Sequence, residues 1–289
     1  MASHSTRRAS DDGSTATLAP GKAPEPVDSA GDRAHRWAEL AQFWELVLHL
    51  ARREAASRQR FTLLGWAWPL ARQLAQLGVL VFVFSRIVRL GIPDFPVFVF
   101  SGLIAWTWFS TGLGAAASSV VANRNLVFQA RFPVPVLPAV ATVVPLLDVA
   151  FALPVIALML ALAGELHATF VFLPIVLLVQ LVLMSGLAWL VAAAHVYFRD
   201  VQNIVGVLLL ILFYVTPVFY DRELVPERYE WVLLMNPMTH LIEAYRRIFL
   251  TGSLPDATLF GIVAAVSLVV AVVGYAVFRR FERTFVDEL

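Results

Sequence analysis

Between Asp94 and Arg124, and again between Glu165 and Arg199, the chain runs without one Asp, Glu, Lys or Arg. Each run exceeds the roughly 20 apolar residues that a helix needs to cross the hydrocarbon core. A helix also satisfies its own backbone hydrogen bonds there, which an irregular segment cannot do. The same criterion places six spans, at about residues 63–88, 97–121, 139–163, 170–194, 201–219 and 257–278. The expected fold class is an all-α integral membrane protein with six transmembrane helices.

Three segments depart from that pattern. Residues 1–36 are rich in Ser, Ala, Asp, Gly, Pro and Arg and nearly lack large apolar side chains, so a disordered cytoplasmic tail is expected there. The tail has no apolar run of the signal-peptide kind and is expected to be retained. In residues 37–62, Leu40, Phe43, Trp44, Val47, Leu50, Ala51 and Ala55 recur at helical spacing, while Glu45, His49, Arg52 and Arg53 take another face. That spacing predicts an N-terminal amphipathic helix in the membrane interface. Packing on a partner domain is the alternative. Residues 221–252 carry a Pro226 start signal, an apolar stretch at 231–235, an Asn236-Pro237 break and a second helical pattern at 241–250. Two short helices dipping into the outer face fit this, an outer re-entrant gate between spans five and six.

Composition agrees: 59% of residues are hydrophobic, 15% are charged and mean hydropathy is +0.74. The net charge of +1 says little, but its placement orients the chain. Arg52, Arg53, Arg58, Arg60, Arg124, Arg131, Arg199, Arg279, Arg280 and Arg283 flank span ends on one side, against Arg86, Arg89 and a mixed-charge loop on the other. The positive-inside rule then puts both termini in the cytoplasm. There is no cysteine, and the six histidines are scattered, so no metal site is expected. The one Gly-Lys pair, Gly21-Lys22, is followed by Ala23 and lies in the tail, so no phosphate-binding loop is expected. No catalytic residue is expected either. Uphill transport by such a chain needs an ion gradient or a separate energy-supplying subunit.

Against that background, several cytoplasmic and outer segments carry a resemblance. Residues 58–69 read Arg-Gln-Arg-Phe-Thr-Leu-Leu-Gly-Trp-Ala-Trp-Pro, a basic and aromatic stretch followed by Leu-Gly, Trp and Pro. Asn123-Arg124-Asn125-Leu126, Arg131-Phe132-Pro133 and Leu137-Pro138 follow, then Tyr197-Phe198-Arg199-Asp200-Val201. Thr216-Pro217-Val218-Phe219-Tyr220, Val225-Pro226-Glu227-Arg228 and Asn236-Pro237-Met238-Thr239 complete the ordered set. Over residues 52–289 the chain resembles the type-two ABC exporter permeases, in the branch that moves O-antigen, teichoic acid, capsule and similar glycans on lipid carriers. The resemblance implies that residues 63–289 are a six-span permease domain in a homodimer in the plasma membrane. It also implies two copies of a separate ABC ATPase subunit, which supply the ATP and Mg that this chain does not bind. The cargo would be a lipid-linked glycan, and no nucleic acid is involved.

The resemblance assigns ATPase coupling to Asn123, Arg124, Asn125, Arg131, Arg199 and Asp200. Such a segment has to be short and stiff; Asn123 is suited to cap it, and Pro133, Pro135 and Pro138 restrict the return to the membrane. The outer gate falls to Pro217, Tyr220, Pro226, Trp231, Asn236 and Pro237. A diphosphate carrier calls for forked donors near the cytoplasmic headgroups, and Arg58, Arg60 and Arg53 stand there. Binding of anionic lipid is the plainer role for the same arginines. Arg72 and Asp148 lie inside spans; both are expected to face the protein interior, as candidates to pair. A drug or small-lipid exporter is the alternative in the same superfamily. A membrane transferase would need acidic or His clusters at one face, and a gradient-driven carrier would show internal repeats.

Overall fold

The computed structural model describes residues 29–58, 65, 67–129 and 132–289, with side chains from Ala41 onward except that of Arg58. The chain divides into Met1–Ala41 and Gln42–Leu289. Helix α1, Ser29–Arg58, starts earlier than the expected residue 37. Ala30, Ala34 and the arginines around them are good helix formers, which outweighs their polarity.

Helices account for every regular element among the described residues: α2 (Ala67–Val81, continued by a π turn to Val88), α3 (Phe95–Ala122), α4 (Arg124–Val127), α5 (Val136–Val143), α6 (Leu146–Ala163), α7 (Leu173–Tyr197), α8 (Val201–Val215), α9 (Glu230–Met235), α10 (Pro237–Arg246), α11 (Ala257–Phe281) and α12 (Phe285–Glu288). Five stretches are long and apolar enough to cross a membrane: Ala67–Val88, Phe95–Ala122, Val136–Ala163, Ala168–Tyr197 and Ala257–Glu288. The expected fifth span is represented by α8, apolar but only 15 residues long. Residues 63 and 64, the expected start of the first span, lie outside the described residues.

Helix α3 forms the centre. It is apolar all round, most of its residues are buried, and it packs on α2, α5, α6, α7, α8 and α10. Around it, α7 and α11 make the most extensive helix pair, and glycine brings their backbones together. A Cβ built on Gly274 would stand 2.2 Å from the Gly186 carbonyl oxygen, and one on Gly186 would stand 2.6 Å from Ala271 Cα. Small residues let helices approach this closely where hydrocarbon offers no hydrophobic drive to associate.

The expected third span is not one helix. It breaks at Val144-Pro145 into α5 and α6, because Pro145 has no N–H and its ring crowds the preceding turn. Leu147 and Asp148 bond instead to Val144 and Pro145 in tight turns. Trp108 Nε1 of α3 donates to Thr142 O at 2.9 Å in the last turn of α5, so a neighbouring helix serves a carbonyl beside the break. Asp148 therefore sits in the first turn of α6, where the helix dipole favours a carboxylate.

Candidate functional site

Alternate helices run in opposite directions, so the functional segments gather at two ends. At one end lie the α2–α3 loop, the α6–α7 loop, α9 and α10; Thr169 Oγ1 donates to Ile248 O there at 2.9 Å. At the other lie α4, the α7–α8 turn and the chain's last residues.

At the α10 end, where the gate residues were expected, Asn236 ties the start of α10 to the residue after α8. Its Oδ1 accepts from Met238 N at 3.0 Å, capping α10, and its Nδ2 donates to Thr216 Oγ1 at 2.8 Å beyond the end of α8. Pro237 occupies the first turn of α10, where its missing N–H costs nothing. Pro217 is buried, and the Tyr220 hydroxyl donates to Val215 O at 2.8 Å, covering the exposed carbonyls at the end of α8. Pro226 and Trp231 are exposed, with Trp231 on α9. Within the bundle, the Tyr245 hydroxyl donates to Gln180 Oε1 at 2.8 Å, and Gln180 Nε2 donates to Ala105 O at 2.8 Å. Tyr245 and Gln180 are both fully buried, so one polar chain ties α10 to α7 and α3.

The same end holds an open cavity of about 470 Å³ above Phe98. Arg246 lies along it with its guanidinium 3.5 Å from the Phe98 ring centre, and its Nη2 donates to Val218 O at 2.8 Å. Arg246 stands outside the five long apolar stretches. Burial pulls its pKa down to about 9, while Asp221 and Glu243 pull it up, so it stays cationic at neutral pH. Arg89 and Asp94 of the α2–α3 loop adopt left-handed backbone without being glycine, and Asp94 borders this cavity.

At the α4 end, Arg124 and Asn125 are exposed on α4, and Arg199 and Asp200 are exposed at the turn into α8. Asn123 does not cap α4 as the sequence suggests. Its Nδ2 donates to Ser119 O at 2.9 Å and closes the end of α3, because its backbone is turned away from the extended geometry a cap requires. Both segments stand on one apolar cluster in which Val127, Val134, Leu137, Val196, Phe278 and Phe285 are buried. The Tyr197 ring meets both Phe281 and Phe285, and its hydroxyl bonds the Thr284 hydroxyl. Arg131 lies outside the described residues.

Of the three candidate diphosphate arginines, Arg53 is exposed on α1 and borders a cavity of about 230 Å³ shared with Ser118, Ser119 and Asn123. The structure thus lines one cavity with both Arg53 and Asn123, a placement the sequence did not suggest. Arg58 is described only as the last residue of α1, and Arg60 lies outside the described residues. Val47 and Ala51 of α1 are buried among Val136, Ala139, Val140 and Val144, whereas Trp44 and Leu48 stay exposed. Arg72, expected to face the protein interior, is exposed on the single chain. Helix α2 turns Gln73 and Leu77 inward, and Arg72, one position before Gln73, points about 100° away.

Known proteins resemble the chain over most of its length. A family profile, ABC-2 type transporter, matches residues 45–250. The "O-antigen export system permease protein RfbA" of Myxococcus xanthus is 35% identical over 255 residues, covering 87% of this chain and 98% of that protein. A protein of the same name from Klebsiella pneumoniae is 25% identical over 252 residues, covering 86% and 97%. The "Polysialic acid transport protein KpsM" of Escherichia coli is 27% identical over 224 residues, covering 76% and 86%.

Proposed function

The chain belongs to the ABC-2 type transporter family, and from that footing we propose that it is the membrane permease of an ATP-driven polysaccharide exporter. The cargo is a polyprenyl-diphosphate-linked glycan moved outward across the plasma membrane. The observation that carries this reading is the 35% identity to an O-antigen export permease across 98% of that protein's length. Two such permeases form a homodimer, and two copies of a separate ATPase subunit supply ATP hydrolysis. Helix α8 is the sixth crossing: its 15 residues give roughly 22 Å, and the segment through Phe219 extends it. In this reading that end and both termini face the cytoplasm, an orientation supported by the arginines at the α4 end through the positive-inside rule.

In this reading α4 and the Arg199-Asp200 turn receive the ATPase subunits. Their common apolar cluster makes them move with α3, α7 and α11 together, so a shift below becomes a shift of the bundle. Arg53, Arg58 and Arg60 gather the carrier diphosphate near the cytoplasmic headgroups, and α9 and α10 close the outer exit. Charge reversal at exposed Arg124 (Arg124→Glu) leaves folding intact and reduces recovery of the ATPase subunit with the tagged permease, read by co-purification at low and high salt.

Depletion of the protein in its host tests the cargo. Mass spectrometry then finds one polyprenyl-diphosphate glycan accumulating inside while the matching surface polymer disappears. An unchanged glycan pool overturns the reading in favour of a drug or small-lipid exporter.

A further inference from the structure

The cavity at the α10 end is lined by more charge than the gate needs. Its volume, about 470 Å³, falls within the roughly 300–1,000 Å³ usual for ligand sites. Two of its arginines are already engaged: Arg222 pairs with Glu230 and Glu243, and Arg247 pairs with Glu243. Arg246 is different. It appears in no salt bridge among the described residues, it is held flat on Phe98, and its buried Nε has no partner. Beside it Thr239 is only 1% exposed, yet its hydroxyl also lacks a partner. Buried polar atoms without partners are rare in folded proteins and call for an explanation.

Four carboxylates on the cavity wall, Asp94, Glu165, Asp221 and Glu223, take part in no ion pair among the described residues. They come from three separate loops; Asp221 Oδ1 accepts from Glu223 N at 3.2 Å and caps its own turn, but that local bond does not account for all four meeting on one wall. Guanidinium N–H groups and carboxylate oxygens side by side suit a ligand that both donates and accepts at neighbouring positions. Sugar hydroxyls do this, and planar forks address adjacent hydroxyls in pairs. A phosphate or a run of sugar carboxylates instead meets an excess of like charge in a recess with apolar walls.

We propose that this outer cavity is a station for uncharged sugar rings of the leaving glycan, and that its surplus carboxylates turn away polyanionic chains. Arg246 and Thr239 donate to ring hydroxyl oxygens, and the loop carboxylates accept from hydroxyl hydrogens. The station rests on the polysaccharide-export reading and narrows it to a neutral glycan class.

The test uses the permease with its ATPase subunits in phosphatidylcholine nanodiscs, with an oligomannose and an oligosialic acid of equal length as probes, followed by saturation-transfer NMR. Oligomannose is expected to bind about tenfold more tightly at low salt, a gap that closes towards unity at about 0.5 M salt. The double change Asp221→Asn, Glu223→Gln narrows the gap roughly threefold. Thr239→Val weakens oligomannose binding and leaves the salt dependence alone; it serves where Arg246→Met fails to fold. Equal binding of the two probes, or oligomannose binding that none of these changes alters, overturns the proposal. Glycan accumulation on depletion together with equal probe binding leaves export standing and removes only this station. An unchanged glycan pool removes the export reading itself.

Discussion

Gly274→Leu is expected to leave no stably folded permease. The Cβ alone would stand 2.2 Å from Gly186 O and 2.9 Å from Gly186 C, both backbone atoms that cannot rotate aside. Helices α7 and α11 would have to separate along the most extensive helix pair in the bundle. Overpacking of even one methyl in a close-packed interior costs about 1–3 kcal/mol. Gly274→Ala should therefore lower the thermal midpoint by several degrees, about 2–4 °C per kcal/mol, and Gly186→Ala should behave alike. Gly261→Ala, also on α11 but with nothing within 4 Å of its Cβ, is the control and should be neutral or mildly stabilising. Detergent-solubilised protein followed by tryptophan fluorescence during heating gives the ranking. Equal midpoints for Gly274→Ala and Gly261→Ala would refute the close approach.

Tyr245→Phe is expected to loosen α10 while the rest of the bundle holds. It removes the hydroxyl that satisfies Gln180 Oε1 at a fully buried site, and an acceptor stranded there costs about 1–3 kcal/mol. Gln180→Met alone strands the Tyr245 hydroxyl and removes the second bond that the Ala105 carbonyl accepts beyond its own helix, so it should cost a comparable amount. The double change removes the tyrosine hydroxyl and the glutamine together and should recover part of the loss. The informative readout is hydrogen exchange: residues 237–251 lose protection in Tyr245→Phe while the centre of α3 does not. Uniform loss across both segments would mean that the chain of hydrogen bonds is ordinary core and does not specifically anchor α10.

Much of the fold was legible in the sequence because its signal is coarse. A charge-free run such as 95–123 has one physical reading in a helix, and α3 fills it almost end to end. Boundaries inside apolar runs were less legible, since hydrophobicity does not register a lost backbone donor. Pro145 with Asp148 three residues later carries the signal of a new helix start, and reading it would have divided the third span and placed Asp148 in the first turn of α6. A charge inside a span has to be accommodated, which makes Arg72 a candidate to face inward, yet one step of 100° from Gln73 puts it on the exposed side of the single chain. Asn123 has the residue type of a cap; only its backbone angles show that it closes the preceding helix. The cavity at the α10 end was not legible at all. Asp94, Glu165, Asp221 and Arg246 are far apart in the chain and meet only through the packing of α3, α6 and α10.

The glycine seam also orders events during synthesis. Gly186 is made and inserted long before Gly274, so the groove on α7 stays open to lipid while α8, α9 and α10 emerge. Only when α11 arrives can the two backbones close on each other, followed by Phe285 capping the cluster at its foot. A chain that ends after α10 thus carries an unfilled groove along α7 that the finished bundle lacks.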